Sequence, residues 1–262
     1  LNHEKTFTFK DVKAFDAGDH FNNFYLLGNP FSFDMEWEKL SSTSGIYNGY
    51  ATMSNVDGSY DYHTSGTIKV GDGFLTIAIN NGAPNVTYGG RGYNKKHESL
   101  NVIVSSLYGQ DNTIINLAGQ DNEGFLKLKN LNEDISEIYI KQNGSSYGIF
   151  NFDEDVEEVQ LSFKAVKSGH HTISIKPDGN FKYITLIDKL TGVETDMLNN
   201  SYTFKVMSTE GNRDRFTVKF SKDIPAENEN FAYQSGEELI INAEGHVQIV
   251  DIMGRVVYTR DA

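Results

Sequence analysis

The sequence predicts an all-β fold, an antiparallel β-sandwich of jelly-roll type. Short runs of alternating apolar and polar residues recur along the chain, as in Val159-Gln160-Leu161-Ser162-Phe163, and a period of two turns one face of each run toward a core. Turn dipeptides such as Asn48-Gly49 and Asp57-Gly58 punctuate these runs, because Gly accepts the positive φ that a tight hairpin needs. No segment keeps a sustained helical period. Composition agrees: Tyr 14, Phe 17 and Gly 24 in 262 residues suit pleated strands joined by tight turns.

Taken in order, Lys5-Thr6-Phe7-Thr8-Phe9 alternates as a strand with one buried face. A polar loop from Asp16 to Asn23 follows. Phe24-Tyr25-Leu26-Leu27 is continuously apolar, as in a strand covered on both faces. Gly28-Asn29-Pro30 stops it, since Pro30 pushes Asn29 out of the helical region. Phe31, Phe33 and Trp37 are expected to plug the end of a core. Thr67–Val70 and Phe74–Ile79 read as two strands around Gly71-Asp72-Gly73, ended by Asn81-Gly82-Ala83-Pro84. Further strands are expected at 100–104, 113–117, 125–129, 138–141, 147–152, 159–163, 172–175, 183–187, 202–206 and 216–220. Regularly spaced short strands of this kind mean a sandwich or barrel. The module is placed at 1–221, with room for two packed sub-sandwiches divided near residue 130. Ser221 to Asn230 is polar, acidic and contains Pro225, which marks 222–230 as a linker. Glu238-Leu239-Ile240-Ile241 and a last hairpin follow in 231–262, too few strands to stand alone.

The formal charge of −13 argues against a nucleic-acid surface, which needs clustered Lys and Arg. The absence of Cys removes disulfides, thiolate nucleophiles and Cys-based zinc sites. No apolar run reaches membrane-spanning length. Because it opens on Leu1 without Met, the chain is expected to be part of a longer protein.

Few residues suggest chemistry. Gly144-Ser145-Ser146-Tyr147-Gly148 fits the G-x-S-x-G nucleophile pattern, but that pattern needs a strand-turn-helix context, and a hairpin loop is the preferred reading. His170 and His171 are adjacent, so on a strand they face opposite sides and cannot share an ion. Asp153-Glu154-Asp155 is densely acidic. Asp153 and Asp155 are the weak metal candidates, with Ca²⁺ the ion they would take; a solvated turn is preferred and no cofactor is expected. Asp188, Asp196 and Asp214 are read as turn and capping residues. Tyr47, Tyr50, Tyr60 and Tyr62, with His63, Tyr88 and Tyr93, lie in Gly-rich polar stretches. The first four are the ligand-binding candidates, since aromatic rings on sandwich loops stack sugars; coverage of sheet faces is the plainer reading.

Several stretches together resemble a family. Leu26-Leu27-Gly28-Asn29-Pro30-Phe31 resembles the L-x-G-N-P-[FY] strand-turn of β-sandwich modules in secreted and surface proteins of Bacteroidetes, and Gly71-Asp72-Gly73-Phe74 is similar to the G-x-G-F that follows it there. Leu161 to Ala165 and Thr172 to Ile175 resemble its L-x-F-x-A…Y-T strand pair, with His171 standing where that family has Tyr or Phe. Ile187-Asp188-Lys189-Leu190-Thr191-Gly192, Ser201-Tyr202-Thr203-Phe204 and Asp214-Arg215-Phe216 resemble its D-x-x-T-G…Y-x-F…D-R-F ending. Val247 to Val257, with Val247, Ile249, Asp251, Gly254 and Arg255, resembles the opening hairpin of the Ig-like type IX secretion C-terminal sorting domain, without that domain's later strands. The resemblance implies an extracellular or outer-membrane location. It also implies engagement of the outer-membrane secretion machinery by the sorting residues, and a non-catalytic spacer or adhesive role for the sandwich. The alternative is a carbohydrate-binding module appended to a secreted hydrolase or protease, with a host or dietary glycan or a surface protein as partner.

Overall fold

A computed structural model describes residues 5–8, 24–42, 46–78, 81, 85–88, 97–119, 124–207, 209, 214–222, 232–235, 238–241, 246–251 and 253–261. It is all-β, and the only helix among the described residues is a 3-10 turn at Trp37–Lys39. No described helix is long and apolar enough to cross a membrane. The chain divides into two compact units, Leu1–Lys222 and Asp223–Ala262.

In the first unit the dominant element is an 11-stranded sheet. Its strands are β10 (Glu98–Ser106), β11 (Gly109–Leu117), β12 (Gly124–Leu126), β13 (Glu137–Gln142), β14 (Ser145–Phe152), β15 (Glu158–Lys164), β16 (Gly169–Asp178), β17 (Tyr183–Asp188), β18 (Val193–Asp196), β19 (Tyr202–Val206) and β20 (Phe216–Ser221). The order is β18-β17-β20-β15-β13-β14-β11-β10-β16-β19, with β12 added onto β14. The β11–β14 pair is parallel, so the sheet is mixed rather than purely antiparallel. It curls into a nearly closed barrel. Alternation explains the filling: Leu100, Val102 and Val104 of β10, Ile115 and Leu117 of β11, and Leu161 and Phe163 of β15 all enter one core cluster. Each fully buried aliphatic or Phe side chain there is worth roughly 1.5–3 kcal/mol.

A four-stranded sheet in the order β2-β8-β5-β6 packs on the outside of this barrel. Its strands are β2 (Phe24–Gly28), β5 (Tyr50–Met53), β6 (Tyr60–His63) and β8 (Gly73–Ile77). Ala51, Tyr62 and Ile77 meet Ile114, Phe125 and Ile149 in a second cluster. Ile114 neighbours barrel-facing Ile115, and Ile149 neighbours barrel-facing Phe150, so period two places them on the outer face. The opposite face of the four-stranded sheet, with Tyr50, Phe74 and partly buried Leu27, joins Met35, Trp37, Leu40, Ile68 and Tyr88 in a third cluster. These last come from the neighbourhood of β3 (Met35–Glu36), β4 (Leu40–Ser42), β7 (Thr67–Ile68) and β9 (Asn85–Tyr88). β9 lies between β4 and β1 (Lys5–Thr8).

Several expectations change. The strands on either side of Gly71-Asp72-Gly73 do not form a hairpin: β7 pairs β3, while β8 pairs β2 and β5. Leu26, expected in a strand covered on both faces, is 74% exposed. Asn130 lies between β12 and β13, which both pair β14, so the large sheet runs through this point. The loop expected at 16–23 and the linker residues 223–230 lie outside the described residues.

In the second unit, β21 (Ala232–Ser235) pairs β22 (Glu238–Ile241), and β23 (His246–Val250) pairs β24 (Val256–Asp261), as two separate hairpins.

Candidate functional site

The residues singled out in the sequence fall into four groups. The first closes the barrel. Arg215, just before β20, donates from Nε to Asp188 Oδ1 at 2.8 Å and from an Nη to Oδ2 at 2.6 Å, a bidentate fork. Tyr202 on β19 donates its hydroxyl to the same Oδ2 at 2.7 Å. Both ion-pair side chains are buried, and the guanidinium lies 4.3 Å from the Phe204 ring centroid, a cation–π contact. β17 and β19 are near opposite ends of the strand order, so this triad is where the curled sheet meets itself. Burial alone would raise the Asp188 pKa, but the bonds from Arg215 and Tyr202 hold it below the ordinary carboxylate value. Gly192 N–H donates to Asp188 O at 2.7 Å, with Gly192 at φ 72°, which explains the Gly after Thr191. Asp196 caps its turn by accepting from Leu198 N at 2.9 Å, and Asp214 accepts from the Ser162 hydroxyl. His171 is buried and stacks on Phe204 at 5.7 Å; His170 is exposed on the other face.

The second group is the Gly28-Asn29-Pro30 turn. Asn29 Nδ2 donates to Phe33 O at 2.9 Å and Ile68 O at 3.0 Å, and its Oδ1 accepts from Phe31 N at 2.9 Å. Asn29 N donates to Asp72 O at 3.0 Å, and Gly28 faces Gly73 across the ladder. Two stretches distant in sequence therefore form one braced corner.

The third group is the tyrosines. Tyr47, Tyr50, Tyr62 and Tyr88 are buried, and Tyr60 is half-buried. A row of exposed rings is absent at Tyr47, Tyr50 and Tyr62, which corrects the expectation of a stacking platform: apolar ring area on a sheet face is withdrawn from water when a second layer is available. Tyr93 lies outside the described residues. Tyr47 OH donates to Asn151 Oδ1 at 2.8 Å. Tyr62 joins the two layers: its OH accepts from Leu128 N at 2.6 Å, and Asn112 bonds both its backbone groups at 3.0 and 3.1 Å. Gly148, the last residue of the G-x-S-x-G match, lets this ring lie on the barrel wall; a Cβ there would sit 2.2 Å from Tyr62 Cε1. Asn143 and Gly144 take φ 49° and 83° between paired Gln142 and Ser145, a two-residue hairpin turn. The match is thus a turn followed by a packing glycine.

Tyr50 and Tyr60 do line a groove. β5 and β8 share only the Ala51–Leu75 bridge, so Thr52 and Met53 part from Gly73 and Phe74. The resulting groove of about 750 Å³ includes Leu26, Met53, Tyr60, His63, Lys69 and Asp72 in its walls. His63 stacks on Tyr50 at 4.7 Å and shares a hydrogen bond with Thr52 Oγ1 at 2.9 Å. Burial lowers its pKa to about 4, so the groove presents a neutral imidazole at pH 7. Leu26 and Met53 expose apolar surface along the groove, while Lys69 and Asp72 supply charge. This mixture suits an uncharged ligand with both apolar and hydroxyl faces.

The fourth group is the terminal hairpin. Asp251 Oδ1 accepts from Met253 N at 2.9 Å and Arg255 N at 3.0 Å; its Oδ2 accepts from Arg255 Nε at 2.7 Å. Gly254 takes φ 80°. Val247 is buried and Ile249 half-buried. Asp251, Gly254 and Arg255 thus build one turn.

No described group of three or more His, Asp or Glu side chains is placed to hold a metal; Asp153 and Asp155 stand in the turn that Val156 N closes onto Asp153 O at 3.2 Å. Sequence reasoning passed over a buried polar cluster. Lys127 Nζ lies 2.8 Å from both Asp111 oxygens, and Asn130 and Ile138 N also donate to Asp111. The available signal was Asp111-Asn112-Thr113 opening the apolar run of β11. Comparison with family models, curated proteins and solved structures gives no match.

Proposed function

We propose that the chain is a non-catalytic C-terminal region of an exported cell-surface or secreted protein. In this reading the first unit is a jelly-roll-like spacer or adhesive support. The second is the start of an Ig-like sorting domain addressed by the type IX outer-membrane secretion machinery. The observation that carries the reading is how the polar residues of the family-like stretches are used. Asn29, Asp188, Tyr202, Arg215, Asp251 and Arg255 brace corners, a closure and a turn. Surface labelling of intact cells expressing the native protein tests it. Biotinylation of the protein on cells, or its recovery from the medium, is the expected result; confinement to the cytoplasm rejects the reading.

The groove at the β5–β8 fork favours a second reading, a glycan-binding module attached to a secreted enzyme. The supporting observation is the juxtaposition of Tyr60, His63 and Thr52 beside the exposed side chains of Leu26 and Met53. A polysaccharide pull-down in which Tyr60→Ala loses retention supports this version; no retention on any glycan removes it.

A further inference from the structure

Asp111 and Lys127 form a buried pair on the barrel wall, apart from the Asp188–Arg215 closure. Their side chains are 0% and 5% exposed. The amine sits 2.8 Å from each carboxyl oxygen, in contact with the whole carboxyl group. Lys127 Nζ is steered further by the carbonyl of Asn112, to which it donates at 2.6 Å, and by the Tyr62 ring, whose centroid is 4.7 Å away. On the acid, Oδ2 accepts from Ile138 N at 2.8 Å and Oδ1 from Asn130 Nδ2 at 3.3 Å. Taking two opposite charges out of water is costly even when they pair. Burial pushes the Asp111 pKa up and the Lys127 pKa down, so both shifts favour a neutral amine beside a neutral acid.

We propose that Lys127 and Asp111 condense into an intramolecular isopeptide bond that ties β11 to the chain following β12. The lone pair of the neutral Nζ attacks Asp111 Cγ and the N–C bond forms. The oxyanion that develops on Oδ2 is held by Ile138 N–H, while the Asn130 amide bonds Oδ1, the oxygen that leaves. The C–O bond to the other oxygen then breaks, and the hydroxyl leaves with a proton from the nitrogen as one water. No oxidant, metal or cofactor is consumed. Glu137 and Asp61 supply the other negative charges that Lys127 feels. Holding amine and acid in contact is equivalent to an effective concentration on the order of 10⁵ M or more in well-oriented cases, and exclusion of water protects the amide once made.

The test is the intact mass of the full chain, purified, kept at neutral pH and denatured before measurement. The expected mass is below the sequence mass by one water, and digestion with trypsin leaves a branched peptide joining residues 111 and 127, uncut after Lys127. Lys127→Arg is expected at its full sequence mass. Asp111→Asn, which would release ammonia instead of water, is expected to end at the wild-type mass. Wild-type protein at its full sequence mass, with trypsin cutting after Lys127, overturns the proposal and leaves an ion pair. A water loss that persists in Lys127→Arg lies elsewhere in the chain and overturns it equally. The wild-type mass and the branched peptide joining residues 111 and 127 decide the outcome by themselves, so a variant that folds poorly does not blur it.

Discussion

At the scale of single residues, Asp188 and Arg215 show how much depends on a partner. Arg215→Ala leaves a buried carboxylate bonded by the Tyr202 hydroxyl and Leu190 N. Loss of one partner of a buried pair costs about 3–5 kcal/mol, and urea unfolding should show a lowered midpoint of that size. Arg215→Lys should recover only part of it, because an ammonium cannot reproduce the two-pronged geometry. His63 gives a pH signature. The folded protein keeps its imidazole neutral down to about pH 4, whereas in the unfolded chain it takes up a proton near its ordinary value of about 6.5. Stability is therefore fully present above that value and is lost as pH falls toward 4, by roughly 3 kcal/mol in all. The wild-type-minus-His63→Gln difference in unfolding free energy, measured at pH 7 and pH 4, should recover this loss; a pH-independent difference would contradict it. Gly148→Ala places a methyl group in the Tyr62 ring. Overpacking of this kind costs about 1–3 kcal/mol, and a lower thermal midpoint is the expected readout.

At the scale of elements, corners and turns carry the polar residues while strands carry the apolar ones. The Asn29 side chain ties the end of β2 to β7, and its backbone N–H reaches Asp72 just before β8. Asn29→Ala strips donors from Phe33 O and Ile68 O, and leaving buried backbone acceptors without them costs about 1–3 kcal/mol. Hydrogen exchange should then speed up in β2 and β8 while the barrel strands stay protected; uniform acceleration would show that the corner is not a local brace. The hairpins at β13–β14 and β23–β24 were legible from Asn143-Gly144 and from Asp251 to Gly254, because both turns depend on neighbours in sequence. The β7–β3 pairing was not legible. Its partners are about thirty residues apart, and nothing local distinguishes that pairing from a hairpin around Asp72. The exposure of Leu26 was hidden for the same reason: an apolar run does not reveal that the sheet beside it forks.

For the whole molecule, the first unit assembles three apolar clusters from its own residues. A protein ending at Lys222 is therefore expected to fold as a β unit with a cooperative melt, and failure to do so would show that residues 223–262 are needed for its core. The large sheet mixes one parallel pair with antiparallel ladders, and that pair is long-range. Such pairing is slow to form because loop closure precedes any reward from contact. Refolding of the first unit is expected on the slow side of the millisecond-to-second range.

Period-two alternation, turn chemistry and the lack of a helical period were sufficient to establish an all-β chain and to place nearly all barrel strands. They reflect local sterics, which act within a few residues. Asp188 was legible only as a turn residue, and Tyr202 and Arg215 only as members of short strand-like stretches. What those residues do depended on the third dimension. The curl that brings β19 back to β17 turned Asp188 from a turn residue into the centre of a buried triad. Packing of a second layer on the barrel's outer face turned Tyr62 from a candidate stacking ring into a core residue. The same layer buried Asp111 and Lys127 together. Burial and partnership are properties of layers rather than of sequence neighbours, and layers form only when strands far apart in the chain pair.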